Sequence, residues 1–467
     1  MTMLVALDAA PATHPAGTGD AEVGRTDRGT SDTLLKAIFK ALDNANIRYC
    51  VLHGYDAFDR PNCSDVDAVI DPKITSDEFS AIVDAVCAKR EAQVALRDGY
   101  HLVVTERPAD KRWTFLTLDF DTVVRFGGLH FYTAEEILSS RRRRGDFWIP
   151  ATHLGFAAYL ARSIARRSLD SNRIRALSAG FNEDPGRCRN ELARFWPVDS
   201  VQLIAASAAS GDWSQVLRAS TRLRRLLHWQ VFARAWPYYL RWLLAKNKAR
   251  LMRLLRPQGV HLVLLGPDGA GKSSVERELK SALSSVFPRI ECYGFVPAWI
   301  QNLLHGADRP TDTPHLLEER SPLFSVARAL LYWLPANLLG YIGVRLQLSR
   351  GALIINDRHF VDALVDQKRY RFGGPVWLLK RVWAMIPKPD VVILLDASPD
   401  VLYARKQELP LEELANLRCR YLELVQSLSY GKIVNVQRPL EEVAQQLIET
   451  ILDCARRRQR ASSSPKA

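Results

Sequence analysis

The stretch VLLGPDGAGKSS, residues 263 to 274, lies near the middle of this 467-residue chain and decides the fold of the part that follows it. It satisfies the spacing G-x-x-x-x-G-K-[ST], with an apolar strand before it and an amphipathic helix after it. Glycine lets a backbone wrap closely, so that successive N–H groups and the positive end of the helix point at phosphate oxygens. The stretch therefore predicts a phosphate-binding loop.

Single residues of this loop have separate predicted roles. Lys272 is expected to bridge the β- and γ-phosphates of ATP or a similar triphosphate, and the Ser273 hydroxyl to ligate Mg²⁺. The other predicted cofactor-binding positions are Gly266, Gly269, Gly271 and Ser274. A glycine-rich turn without a ligand, and a loop that binds without catalysing, are the alternatives.

The composition is that of a globular protein of two or three domains, with 47% hydrophobic and 25% charged residues. Seven scattered cysteines without a Cys-x-x-Cys pair argue against a disulfide framework and favour a cytoplasmic protein. The N-terminus lacks a basic start and is interpreted as disordered, not as a signal peptide. The most apolar segment, 329 to 344, is shorter than the ~20 residues of a membrane span, so we expect a buried helix pair and no transmembrane segment.

Changes in the apolar pattern divide the chain into segments. Strand-like stretches around a helical segment at 76 to 90 indicate a small α+β domain, which gives way to helical spacing. Alternating strands and helices then predict an α/β domain whose parallel sheet is covered by helices on both faces. The predicted order is a disordered 1–30, an α+β domain at 31–133, a helical region at 134–257, an α/β domain at 258–454 and a disordered basic tail at 455–467.

The net charge of +13 is concentrated in the helical region. From Trp213 to Pro267 there are eleven Lys or Arg and no Asp or Glu. Such a block predicts a weak contact with an anionic membrane surface, nucleic acid or polyphosphate, and a solvated helical face is the alternative. The basic run from Arg141 to Arg144 is predicted to be helical and either neutralises phosphates or is simply exposed.

Three stretches occur in the order and approximate spacing of thymidylate kinase-like P-loop kinases: GPDGAGKSS, IINDRHF at 354 to 360, and VVILLDASPDVLYARKQE at 391 to 408. The chain resembles this family over roughly 258 to 452. The resemblance implies a P-loop kinase domain that uses ATP and Mg²⁺ and phosphorylates a small-molecule acceptor.

The resemblance also implies catalytic roles for residues besides Lys272. Asp268 occupies the place of an acidic loop residue that lies near the acceptor sugar. Asp357-Arg358-His359 is similar to an Asp-Arg-Tyr motif whose arginine holds the acceptor phosphate, and Arg405 is similar in position to arginines of a mobile lid. Independently, Asp357 falls at the C-terminal end of a predicted parallel strand, where it could hold Mg²⁺ through water or pair with Arg358.

Two segments depart from the thymidylate kinase pattern. The Ser and the Tyr-Gln pair that contact the nucleotide in that family are replaced by residues from Phe360 to Gln367. An arginine-bearing segment expected after the second strand is replaced by Tyr293-Gly-Phe-Val-Pro297. We therefore expect kinase chemistry with an acceptor other than dTMP.

The N-terminal domain has its own cluster of candidate metal ligands. Asp65 and Asp67 alternate on a predicted strand and so point to the same face, where two carboxylates can share divalent ions, and Asp119 or Asp121 offers a third. With the preceding turn Gly54-Tyr55, this constellation resembles the nucleotidyltransferase fold. The usual Gly-Gly or Gly-Ser turn is absent, so a second activity stays open, and a structural Asp-x-Asp hairpin is the alternative.

Three functions are compatible with the sequence. The first is an ATP-dependent kinase for a nucleotide- or sugar-type acceptor, fused to a nucleotidyltransferase-like domain and similar to proteins linked with bacterial surface-polysaccharide synthesis. The second is a plain thymidylate kinase. The third is a nucleotide-regulated protein that docks on membrane or nucleic acid without turnover.

Overall fold

The structure of the protein is a computed structural model, which describes residues 34–54, 65–90, 92–106, 114–126, 129–284, 286–295 and 318–463. The predicted disordered leader at 1–30 lies outside these residues. The described part contains two larger sheets, which are linked by a region made mainly of helices.

The N-terminal domain is built on a mixed five-stranded sheet of order β1-β2-β5-β4-β3, in which β2 and β5 are parallel and the other neighbours antiparallel. Two helices pack against it through a core that contains Phe39 and Phe79. A capping box between Thr75 and Glu78 begins the second helix. The elements are α1 Leu34–Asn44, β1 Tyr49–Val51, β2 Asp65–Ile70, α2 Ser76–Ala88, β3 Ala92–Asp98, β4 His101–Glu106 and β5 Thr114–Asp121.

The linking region contains two small hairpins followed by helices. Its elements are β6 Val123–Phe126, β7 Leu129–Thr133, α3 Ala134–Leu138, β8 Arg142–Arg144, β9 Phe147–Ile149, α4 Thr152–Arg166, α5 Ser171–Glu183, α6 Pro185–Leu192, α7 Val198–Ser210 and the 42-residue α8 Ser214–Leu255. The helical assignment of the basic run Arg141 to Arg144 is wrong. Gly145 adopts a positive φ of 57° and turns the chain, and Trp148 on β9 packs under the guanidinium groups of Arg141 and Arg143.

The C-terminal domain contains a five-stranded parallel sheet of order β11-β12-β10-β13-β14. The central strand, VHLVLL, is buried along its whole length, as expected of a parallel strand covered on both faces. The elements are β10 Val260–Leu265, α9 Lys272–Leu283, β11 Ile290–Tyr293, α10 Pro322–Ser349, β12 Leu353–Asn356, a 3₁₀ helix Phe360–Leu364, α11 Val376–Met385, β13 Val391–Asp396, α12 Pro399–Arg405, α13 Leu411–Ser427, β14 Gly431–Asn435 and α14 Leu440–Ser463.

The basic tail predicted to be disordered from residue 455 is helical as far as Ser463, so that prediction is wrong for the described part of the tail. Ala455 is fully buried, the Arg456 side chain donates a hydrogen bond to Gln93, and Arg458 pairs with Asp390. Helix α14 therefore connects the N-terminal β3 to the C-terminal sheet. Ala95 and Val103 of the N-terminal sheet belong to the same hydrophobic core as the C-terminal strands.

The apolar segment at 329 to 344 is not a buried helix pair. It belongs to the single helix α10, which consists of α-helical ends around a π-helical turn at Ala329–Trp333. By length and composition alone, α10 could cross a membrane, and 28% of its most apolar window is buried inside the protein. The sequence underestimated its length because the helix begins seven residues before the apolar run and ends five residues after it.

Replacing Arg458 with Ala should lower the free energy of unfolding by about 2 kcal/mol, because Asp390 would lose its cation in a largely buried position. Arg458 donates to Asp390 at 2.6 Å and to the Pro257 carbonyl at 3.1 Å, and Asp390 also accepts from the His261 amide. Urea unfolding followed by tryptophan fluorescence measures the change. The exposed neighbour Arg457→Ala is the control, with an expected change below about 0.5 kcal/mol; equal losses in the two variants would contradict the prediction.

Candidate active site

The phosphate-binding loop, residues 266 to 271, joins β10 to α9 at the carboxyl end of the parallel sheet. Its glycines have the positive φ values that the curve needs, 148° at Gly266 and 85° at both Gly269 and Gly271. A Cβ on Gly266 would lie 2.9 Å from the Leu395 carbonyl oxygen, whereas the space beside Gly271 is open. The loop is thus packed against the sheet on one side and accessible on the other.

Lys272 is the first residue of α9 and its side chain is buried. Its Nζ donates hydrogen bonds to the carbonyl oxygens of Gly266 and Pro267, at 2.5 and 3.1 Å. Burial lowers the pKa of Lys272 to about 8, and the nearby charge of Arg358 acts in the same direction. The ammonium group therefore lies inside the loop, ready to exchange carbonyl partners for phosphate oxygens.

Ser273, Ser274 and Asp357 lie around the same loop. Both serines are exposed in the first turn of α9, and Asp357 follows β12, the neighbour of β10 in the sheet. Burial raises the pKa of Asp357, and the charges of Arg358 and Lys272 oppose that effect. A hydroxyl and one carboxylate beside bound phosphates are the donors that Mg²⁺ accepts, so these residues fit the ion. The described residues contain no group of three or more His, Cys, Asp or Glu side chains arranged to hold a metal ion.

Asp268, inside the loop, is surrounded by cations from three other segments. Its carboxylate is 2.7 Å from Arg358, 3.0 Å from Arg369 and 3.3 Å from Lys406, and the Nζ of Lys272 is 3.7 Å away. Burial alone would raise the pKa of Asp268. A hydrogen bond shared with Glu408 and the charges of the two arginines outweigh burial and hold this pKa far below its usual range.

A small cleft opens beside this cluster. One side is charged and is formed by Asp268, Arg358, Arg369, Lys406 and Glu408. The other side is mostly apolar and is formed by Leu409, Leu414, Leu417 and Tyr421. Charged groups that converge on a partly apolar wall are typical of a site for a small polar molecule.

Asp362, which is almost completely buried, lies close enough to Arg358 for their charges to interact. Asp362 accepts hydrogen bonds from the His359 amide and from the Tyr421 hydroxyl, at 3.1 and 3.0 Å. Burial raises the pKa of Asp362, while the charge of Arg358 opposes that effect. This carboxyl group therefore positions the 3₁₀ helix and the arginine that precedes it.

Arg405 is not part of the cluster around Asp268. It ends α12, and its Nη2 donates to the Val436 carbonyl oxygen at 3.1 Å. The adjacent Lys406 is the residue that reaches Asp268. A bidentate ion pair between Asp396 and Arg418, at 2.7 and 2.8 Å, joins the end of β13 to the middle of α13, which gives both residues a structural role.

Sequence reasoning missed Arg369, Glu408 and Asp362. Arg369 lies 101 positions after Asp268 and is brought back by the turn that follows the 3₁₀ helix, where its amide bonds to Asp366. The available signal was the density of charge in DQKRYR at 366 to 371, directly after the Asp-Arg-His segment. That pattern does not indicate that the Arg369 side chain points toward the phosphate-binding loop.

The N-terminal carboxylates lie on neighbouring strands, but among the described residues they are not arranged as a group of three that could hold a metal ion. Asp67 and Asp119 are register partners on the parallel strands β2 and β5, and Asp65 precedes Asp67 on the same face. The pKa of Asp65 is raised to about 6, because neighbouring atoms partly shield its carboxyl from water and the charges of Asp67 and Asp119 lie close. Arg162 donates to Asp67 at 2.8 Å, and His53 lies 3.2 Å from the same oxygen. Metal binding by these three aspartates stays a prediction.

A parallel sheet with a phosphate-binding loop after its central strand, and with cations gathered beside a small cleft, defines the class of P-loop phosphotransferases. Curated thymidylate kinases are similar to part of the chain. The thymidylate kinase of Haemophilus ducreyi is 27% identical over 226 residues, which cover 43% of this chain and 96% of that protein. No protein-family profile matches the chain.

Two further relatives match a similar share of the chain. The thymidylate kinase of Alteromonas mediterranea is 28% identical over 215 residues, covering 42% of this chain and 90% of that protein. The probable thymidylate kinase of Staphylothermus marinus is 25% identical over 203 residues, covering 42% and 96%. Part of the chain is thus a thymidylate kinase-like P-loop kinase, and the protein is a phosphotransferase.

The Asp268 cluster should be energetically coupled, which a double-mutant cycle measures. Asp268→Ala should lower the free energy of unfolding by about 2 kcal/mol or more, because Arg358 and Arg369 lose a buried carboxylate. Adding Arg369→Ala should recover part of that loss, because it removes one of the two crowded cations. The exposed pair Lys368 and Glu413, at 3.4 Å, is the control cycle, with an expected coupling below about 1 kcal/mol. Strict additivity at Asp268 and Arg369 would contradict the prediction.

Proposed function

We propose that the protein is an ATP-dependent kinase that transfers the γ-phosphoryl group to a small nucleotide- or sugar-type acceptor bound in the cleft beside Asp268. The observation that carries this proposal is the position of Asp268, which extends from the phosphate-binding loop into a cluster of cations next to the cleft. The phosphate donor and the acceptor would then both bind to residues of the same loop.

On the donor side, the loop amides and Lys272 would hold the β- and γ-phosphate oxygens. Ser273 and Asp357 would hold Mg²⁺, which when bound neutralises charge on those oxygens. Gly266, Gly269 and Gly271 give the backbone its close approach, and Ser274 continues the first turn of the helix whose N-terminus faces the phosphates. These roles follow from the open space beside Gly271 and the buried ammonium group within the loop.

On the acceptor side, Asp268 would orient the acceptor by a hydrogen bond, and Arg358, Arg369 and Lys406 would hold its anionic group or the transferring phosphoryl group. The acceptor oxygen forms the new bond to the γ-phosphorus while the bond to the β–γ bridging oxygen breaks and ADP leaves. A hydroxyl acceptor releases its proton to water, because the lowered pKa of Asp268 makes that carboxylate a weak base. The cations are already fixed around Asp268, so little reorganisation is needed as negative charge spreads over the phosphoryl oxygens. Arg405 could join them only after leaving the Val436 carbonyl.

Thymidylate is the alternative acceptor, because the relatives that match part of the chain are named thymidylate kinases. The altered segments after Arg358 and after β11 favour a different acceptor. A part in surface-polysaccharide precursor synthesis, with ATP and Mg²⁺ as the cofactors of its kinase step, remains within this proposal.

We also propose that the N-terminal domain is nucleotidyltransferase-like, with Asp65, Asp67 and Asp119 as its metal ligands. The register of β2 and β5, which pairs Asp67 with Asp119, supports the assignment. The contact between Arg162 and Asp67 would have to open before a metal ion could use both oxygens of that carboxylate.

A panel of nucleoside monophosphates, sugars and sugar phosphates, incubated with labelled ATP and Mg²⁺, tests the kinase proposal. One acceptor class should be consumed, and Lys272→Ala should reduce turnover by about 100-fold or more because it removes a preorganised cation. Arg277→Ala, an exposed cation on the same helix, is the matched control and should keep wild-type turnover. Consumption of dTMP alone would favour the alternative, and no turnover above the Lys272→Ala background would exclude every acceptor on the panel.

The affinity for a non-hydrolysable ATP analogue should fall as the pH rises above about 8. The pKa of Lys272 in the free protein is lowered to about 8, so above that pH the neutral amine must take up a proton before it can pair with phosphate. Titration calorimetry from about pH 7.5 to about pH 9.5, in buffers of different ionisation enthalpy, measures both the affinity and the proton uptake. Lys272→Arg should remove the uptake, because guanidinium stays charged; binding without uptake in the wild type would contradict the prediction.

A further inference from the structure

Most of the exposed large hydrophobic side chains of the described residues lie on two helices, α8 and α10. On α8 they recur at spacings of four and seven residues, which places them along one stripe of the helix. This stripe consists of Trp229, Trp236, Leu240, Leu244, Leu251 and Leu255. Trp229 is 70% exposed, so this stripe is not filled by packing within the protein. Contiguous apolar surfaces of this kind mark interaction sites.

Helix α10 carries a second stripe made of Phe324, Leu331, Leu338, Ile342 and Leu346. Leu331, at 78%, is among the most exposed apolar side chains described. The two helices touch, because Arg345 on α10 donates hydrogen bonds to the carbonyl oxygens of Leu254 and Leu255 at the end of α8. We call the two stripes together the α8–α10 surface.

The inner face of α10 is held in the kinase core. Ala329, Trp333 and Ala336 are buried, and the Trp333 ring contacts Phe295 and Phe360 at centroid distances of 5.3 and 6.0 Å. A helix that gives one face to a protein core and the other to its surroundings is suited to lie along an interface. It would have to leave that core in order to span a bilayer.

The charge around the α8–α10 surface selects one kind of occupant. The segment from Trp213 to Pro267 has eleven Lys or Arg and no Asp or Glu, and α10 carries only arginines as charged residues. A second copy of the chain would bring the same cations against this surface and would be repelled. Nucleic acid would match the cations but offers no apolar layer for the leucines. Tryptophan, leucine and basic residues together match the headgroup boundary of an anionic bilayer.

We propose that the α8–α10 surface is a docking site for an anionic lipid membrane, on which the protein lies without crossing it. The apolar stripes enter the boundary between headgroups and acyl chains, and the cations beside them, such as Arg241 and Lys248, contact acidic headgroups. This proposal is independent of the acceptor that the kinase uses, because it rests on the outer faces of the two helices and not on the cleft.

Flotation of the full-length protein with vesicles tests this site. Vesicles of phosphatidylglycerol and phosphatidylethanolamine should carry the protein at low salt and release most of it at high salt, whereas phosphatidylcholine vesicles should not carry it. Arg241→Gln with Lys248→Gln should lower the partition coefficient by on the order of 20-fold, because each cation near an anionic surface contributes about fivefold.

Trp229→Ala with Leu331→Ala tests the apolar stripes and should lower the partition coefficient by about tenfold or more. Val198→Ala is the matched control, because Val198 is 69% exposed on α7 and belongs to neither stripe, and its removal should not change the partition coefficient. The urea midpoint of each variant shows whether it is folded. Because the substituted side chains are exposed, we expect all variants to fold.

Several outcomes would overturn the docking site. They are a lack of flotation with anionic vesicles at low salt, equal flotation with neutral vesicles, and variants that all behave like Val198→Ala. Resistance to alkaline carbonate extraction would mean that α10 spans the bilayer. A different result would be a protein that fails to float and forms a concentration-dependent dimer in analytical ultracentrifugation. If Trp229→Ala with Leu331→Ala dissociates that dimer, the surface is assigned to a second copy of the chain.

Discussion

The carboxylate of Asp268 is the interaction on which the site depends. It pairs with Arg358 after β12, with Arg369 after the 3₁₀ helix and with Lys406 after α12. One side chain therefore holds residues that lie 90, 101 and 138 positions later in the sequence. Without the Asp268 carboxylate, these cations would repel one another at a partly buried position, where uncompensated charge lowers the stability of the fold. With it they are held close together and next to the buried ammonium group of Lys272. An anionic ligand can then exchange partners with Asp268 without first having to order the cations.

The parallel sheet makes this convergence possible. Strands β10, β12 and β13 run in the same direction, so the segments that follow them meet at one edge, where open α/β sheets bind ligands. The phosphate-binding loop and the Asp-Arg-His segment could be recognised in the sequence, because their residues are adjacent and their spacing is fixed by local geometry. Arg369 and Glu408 could not, because their places depend on how a 3₁₀ turn and a helix end fold back over the loop. The same limit applies to Arg405, whose direction away from the cluster depends on a contact with Val436, the residue after β14.

The larger differences between the sequence-based predictions and the structure arise from tertiary contacts. The tail after residue 455 is basic and rich in serine, a composition typical of disorder, yet its helix is held because Ala455 is buried and Arg458 finds Asp390. No local pattern reports that partner, which lies 68 positions earlier. The run Arg141 to Arg144 reads as helical because arginine is a good helix former, but the turn at Gly145 and the Trp148 ring favour a hairpin. The overall alternation of strands and helices was predictable because it rests on apolar periodicity, which tertiary contacts seldom override.

Helix α10 connects the outer surface of the protein to the wall of the site. Its inner residue Trp333 packs against Phe360, which begins the 3₁₀ helix two residues after Arg358. The same 3₁₀ helix contains Asp362, whose hydrogen bonds to the His359 amide and to Tyr421 place that turn against the wall of the cleft. Packed side chains transmit displacement because protein interiors contain few voids. Trp333 also contacts Tyr370 and Phe372, which follow Arg369, so the inner face of α10 supports both segments that bring arginines to Asp268.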